Sequence, residues 1–100
     1  MRVTIQQGDG EDVIMKIEGK VAGVHVQELQ RAWEHLALTL GQRKLLVDLR
    51  GVLHIDAPAR DLLAEIHAKT GAEYLADTPL TKYFAEQARQ AVRKSSSLAK

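Results

Sequence analysis

One hundred residues, 45% hydrophobic and 27% charged, fit one globular domain with a modest core. A formal charge of +1 supplies no strong field toward nucleic acid or an anionic membrane, and the lack of cysteine excludes disulfides and thiolate metal sites. No apolar run approaches the roughly 20 residues of a membrane span, and MRVTIQQGDGEDV has a polar centre where a signal peptide needs an apolar one, so a cytoplasmic protein without direct membrane insertion is expected.

Residues 3–7, with Val3 and Ile5, alternate apolar and polar and predict a short strand. Gln7-Gly8-Asp9-Gly10 supplies hairpin-turn chemistry, and residues 12–18 alternate again with Val13, Met15 and Ile17 on one face, so an antiparallel pair is expected, ending at Gly19. From Val24 the period becomes helical: Val26, Leu29, Trp33, Leu36 and Leu40 share a face, and Gly41 marks the stop. Leu45–Leu49 reads as a central strand, Asp48-Leu49-Arg50-Gly51 as a tight segment, and Val52-Leu53 with Ile55 as a second apolar patch. Asp56 stands as N-cap of a second helix, with Pro58 in its first turn and Leu62, Leu63 and Ile66 inward, until Thr70-Gly71. Glu73–Ala76 is a short strand, and Thr78-Pro79 opens a third helix with Leu80, Phe84, Ala88 and Val92 inward. The domain is expected over residues 1–94 and a flexible tail over 95–100.

The order β-β-α-β-α-β-α predicts an α/β fold: a mixed sheet of about four strands, with an antiparallel edge and a parallel centre reached by right-handed crossovers. A strand that ends in a loop at a helix N-terminus is where such folds keep their working surface, which directs attention to Lys44–Leu63. Asp56 there reads first as an N-cap and second as a functional carboxylate. His54 and Asp56 have His-x-Asp spacing, but His25, His35 and His67 fall on other elements, so no metal site is expected. The only serines are Ser95, Ser96 and Ser97, which leaves no nucleophile constellation; no catalytic residue, cofactor or enzyme activity is expected. Arg60 and Asp61 read either as a solvated turn or as the rim of a contact centred on Ala57, Pro58 and Ala59. Arg89, Arg93, Lys94 and Lys100 complement a helix C-terminus, and nucleic-acid binding is not expected.

The stretch VDLRGVLHIDAPARDLL resembles the STAS domain, the fold of bacterial anti-sigma factor antagonists. That family's strand has the form hhhDhSGVxxhDSSGhxhL, with h apolar, and Asp48, Leu49, Gly51, Val52, Ile55, Asp56 and Leu63 stand in matching places. IEGKVAG resembles its hxGxLD segment, with Gly19 aligned. The resemblance implies a non-catalytic module for signal transduction and transcription regulation that engages a protein partner, either an anti-sigma factor with kinase-like features or the ATPase subunit of a membrane transporter; a homodimer stays open. It implies a contact surface of Gly19, Val21 and Ala22 with Asp56, Ala57, Pro58, Ala59, Arg60 and Asp61. Two departures bear on mechanism. The family's phosphate-accepting serine falls at Pro58, and no Ser, Thr or Tyr lies between Leu40 and Lys69, so no phosphorylation is expected at the loop and no neighbouring hydroxyl to stand in. The family's aspartate in the first segment falls at Ala22.

Overall fold

Two alternating strands open the chain. β1 (Arg2–Gln7) and β2 (Val13–Val21) pair antiparallel from Arg2 opposite Glu18 to Gln7 opposite Val13, without a register shift. The computed structural model describes residues 1–7 and 12–98, with side chains through residue 91, so the turn at Gly8–Gly10 lies outside the described residues. β2 does not end at Gly19 as the sequence suggests but runs on to Val21. Gly19 takes a φ of 89°, the backbone of Met1 lies 3.5 Å from where its Cβ would stand, and the register against the next strand shifts just after it. The unpaired residue of that shift is Leu53 on the facing strand, and Gly19 beside it takes a positive φ that glycine permits at little cost.

β3 (Leu45–Ile55) is one strand of eleven residues. The segment Asp48–Gly51, expected as a tight break, is a bulge inside it. Asp48 Oδ1 accepts the Arg50 backbone N–H at 3.0 Å, and the register against β2 shifts between Lys16 and Glu18. An aspartate that bonds a backbone donor two residues on competes with the ladder and leaves an extra residue in the strand. Gly51 faces Glu18, whose Cγ would come within 3.0 Å of any Cβ there. β4 (Glu73–Leu75) pairs only with Leu46, Val47 and Asp48.

The sheet order is β1-β2-β3-β4, with the first pair antiparallel and the others parallel, as the element order predicts. Both crossovers step the same way, so their common hand puts α1 (Val24–Leu40) and α2 (Ala57–Thr70) on one face of the sheet. α3 (Pro79–Leu98) completes that layer against α2 and β3. Between sheet and helices lie Met15, Ile17, Val47 and Leu49 from the strands and Leu29, Trp33, Leu63, Ile66 and Phe84 from the helices. Tyr74 on β4 donates its hydroxyl to the Leu63 carbonyl at 2.9 Å, stacks on His67 and lies under the Arg89 guanidinium. Burial pushes its phenol well above the usual range.

Helix ends follow the sequence. Gly71 ends α2 at φ 72°, with its N–H on the His67 carbonyl. Thr78 and Thr81 cap α3 reciprocally: Thr78 Oγ1 accepts the Thr81 N–H at 3.1 Å, and Thr81 Oγ1 accepts the Thr78 N–H at 3.0 Å. This turns Thr81 inward and rolls Leu80 out, so Leu80 is exposed where the spacing predicts it buried. The backbone of α3 stays helical through Leu98, where the sequence shows no apolar period. Val92 and the basic Arg93, Lys94 and Lys100 have side chains outside the described residues.

Two residues expected on a contact surface belong to the core instead. Ala59 is 0% exposed and Val21 1%. Ala59 is the third residue of α2, and the turn of the helix carries it toward the sheet; Val21 keeps the inward parity of Val13, Met15 and Ile17. Ala59→Glu therefore buries an unpaired carboxyl and overfills the core, and it is expected to cost about 3 kcal/mol or more. Ala57→Glu, on the exposed first residue of α2, should shift stability by no more than about 1 kcal/mol. Urea denaturation of the two variants measures the contrast.

Candidate functional site

β2 and β3 run parallel and deliver two loops to the same end of the sheet. The first, Ala22–Gly23, leads into α1, and the second, Asp56, leads into α2. α1 has no side-chain cap of its own. Asp56 supplies what both loops need. Its Oδ1 accepts the Ala59 N–H at 2.9 Å, the N-cap bond of α2, and its Oδ2 accepts the Gly23 N–H at 3.0 Å. Its own N–H donates to the Val21 carbonyl at 3.3 Å. The N-cap role is the one the sequence predicts. The bond to Gly23 spans 33 residues and was not predicted, although a helix start without Ser, Thr, Asp or Asn signals the need for an outside acceptor. The hydrogen bonds from Gly23 and Ala59 hold the Asp56 carboxyl below the usual carboxylate range.

Around this staple the predicted contact residues separate. Ala57 and Pro58 are exposed on the first turn of α2. Pro58 removes an N–H that the cap does not use, since the cap bond goes to Ala59. Arg60 is half-buried and its guanidinium bonds Asp61 at 3.2 Å. Ala22 is half-buried in the first loop, whereas Gly19 sits within β2 beside Met1. Shallow clefts flank the turn: Arg60 lines one with Ile55, Tyr83, Phe84 and Gln87, and Pro58 and Asp61 line the other with Val26 and Gln30 of α1.

Four large apolar side chains at this end were not predicted as surface. Val24 is 71% exposed, Leu53 65%, Tyr83 58% and Leu80 49%. Val24 begins α1, Leu53 sits at the second bulge of β3, and Leu80 and Tyr83 lie on the first turns of α3. Tyr83 also corrects the expectation that no hydroxyl neighbours the loop: it comes from α3 and lines the same cleft as Asp56 and Ala57. Its sequence signal is an aromatic one residue off the Phe84–Ala88 stripe, which marks a large side chain turned outward. Among the described residues no three His, Cys, Asp or Glu side chains converge, and no helix is long and apolar enough to cross a membrane.

A second carboxylate lies on the helix-free side of the sheet. Asp48 is buried, and the Arg50 guanidinium bonds both its oxygens, at 3.0 and 2.9 Å. Those bonds hold the Asp48 carboxyl below the usual range against the opposing effect of burial. Asp48 and Asp56 are both lowered, so their contribution to stability is complete above the usual carboxylate pKa and is lost as pH falls through it toward the lowered values. The urea midpoint should hold from neutral pH to about pH 5 and fall between about pH 5 and pH 2. Asp56→Asn should make that fall smaller, which a series of urea titrations across pH checks.

No protein-family model matches the chain, and no curated protein matches it. Solved structures do. The anti-sigma factor antagonist SpoIIAA in its unphosphorylated form superposes with a TM-score of 0.58 over 82% of this chain and 79% of that one, at 8% identity. The crystal structure of Mglu superposes with a TM-score of 0.58 over 76% of this chain at 22% identity, and the chain spans 19% of Mglu's length. Likeness at such identities is likeness of fold, and it agrees with the element order and sheet described above. The chain has the STAS-like fold of the anti-sigma factor antagonist SpoIIAA.

Proposed function

We propose that this chain is a non-catalytic protein-binding module whose docking surface is the end of the sheet where α1, α2 and α3 begin. The observation that carries the reading is that Tyr83 lines the cleft beside Asp56 and Ala57, while Val24, Leu53 and Leu80 stand exposed on elements that begin or end at this side of the sheet. An exposed aromatic and exposed apolar side chains beside shallow clefts that Arg60 and Asp61 also line suit a protein contact. SpoIIAA, an anti-sigma factor antagonist with the same fold, supports a partner of the anti-sigma class and a bacterial, cytoplasmic regulatory complex.

The loop favours constant docking over a phosphate switch. Ala57 and Pro58 offer no oxygen to phosphorylate, Pro58 has no N–H, and the Ala59 N–H is already taken by Asp56. A phosphate at this helix start would have to displace the Asp56 carboxylate from its own cap.

Leu53→Asp and Tyr83→Ala change exposed side chains and should leave the urea midpoint within about 0.5 kcal/mol of wild type. Affinity capture from source cells with these baits should lose the partner that wild type retains. Leu38→Asp, at the far end of α1 and also exposed, should retain it. Equal capture by all baits would remove the surface from consideration. Recovery of a transporter ATPase subunit in place of a kinase-like protein would keep the surface and change the partner.

A further inference from the structure

The sheet has two edges of different character. β4 is three residues long and covers only Leu46–Asp48, too short to template another strand. β1 is the outermost strand on the other side, six residues long and paired to β2 without a bulge. Its sequence, Arg2-Val3-Thr4-Ile5-Gln6-Gln7, has three consecutive β-branched residues, no proline or glycine, and one charge, at its start. Proteins that keep an edge solitary place a central lysine, a proline or a bulge there. β1 carries none of these, and it exposes Ile5 at 37% although Ile5 points to the same side as the core.

The side of each residue follows from the register. Val3 stands opposite Ile17 and Ile5 opposite Met15, both fully buried, so Val3 and Ile5 face the helix layer. Arg2, Thr4 and Gln6 face the helix-free side. In a continuous sheet, residues directly opposite each other share a side, so two β1 strands can meet antiparallel only in registers that match like with like.

We propose that β1 pairs antiparallel with β1 of a second copy of this chain, with Thr4 on the two-fold axis, to form one eight-stranded sheet. This register sets Val3 opposite Ile5 of the partner subunit, and the reverse, which makes two apolar pairs on the core side. Arg2 meets Gln6 of the partner subunit, so no like charges oppose each other. Centring on Ile5 would instead place Val3 against Gln7. The contact is isologous and closed, as a two-fold dimer requires. Three antiparallel steps separate β2 from its copy, so the two docking ends point in opposite directions and both stay free for partners.

Sedimentation of the full chain should give the mass of two chains in a concentration-dependent manner. Thr4→Glu and Thr4→Lys each place like charges opposite one another and should weaken self-association roughly fivefold or more, while an equimolar mixture restores it. Thr4 faces Lys16 within its own sheet, so the Glu variant retains a folded monomer. The chain has no cysteine, so Thr4→Cys introduces one thiol per copy; mild oxidation should link two chains through it, and Gln6→Cys should link far less. A single-chain mass up to millimolar concentration, or a dimer that withstands both charge variants and yields no Thr4→Cys link, would overturn the proposal.

Discussion

The Asp56 carboxylate joins two loops that are 33 residues apart in the chain. One oxygen caps α2 and the other takes the Gly23 N–H at the start of α1. The parallel pair of β2 and β3 brings the loops to the same end of the sheet, and the carboxylate fixes them there. The starting points of both helices follow from it. With α1 and α2 so placed, Leu29 and Trp33 meet the sheet from one helix, and Ala59, Leu63 and Ile66 from the other.

β3 carries the second constraint. It is the one strand with parallel neighbours on both sides, and its eleven residues contain two register shifts against β2. The first is made by Asp48, which bonds the Arg50 backbone and side chain together. It reverses the alternation, so that Val52 stays in the core, and the second falls at Leu53, which is exposed. A regular strand would have alternated these residues into different positions. The bulges therefore decide which apolar residues of β3 face solvent at this end of the sheet.

The same economy appears at the loop itself. At the start of α2, Pro58 has no N–H and the Ala59 N–H is bonded to Asp56. What the turn shows to solvent is Ala57 and Pro58. This is the physical basis for reading it as a standing contact surface. The free β1 edge lies on a different part of the molecule, so pairing there leaves the loop end open.

Element order, the mixed sheet and the main buried residues were legible in the sequence because period two and period 3.6 are written directly in Val13-Met15-Ile17 and Leu29-Trp33-Leu36-Leu40. The caps at Asp56 and Thr78 were legible for the same local reason. The sequence pattern failed where the outcome depends on contacts between distant segments. It took Asp48–Gly51 for a break because a bulge and a turn use the same residues. The resemblance put Ala59 and Val21 on a contact surface, but a loop's neighbours in sequence need not be its neighbours in space. The sequence pattern missed Tyr83 and the Gly23 bond because both reach the site from other elements, 27 and 33 residues from Asp56 along the chain. Local propensity determined the elements, and only tertiary packing decided which side chains of those elements were left facing solvent together.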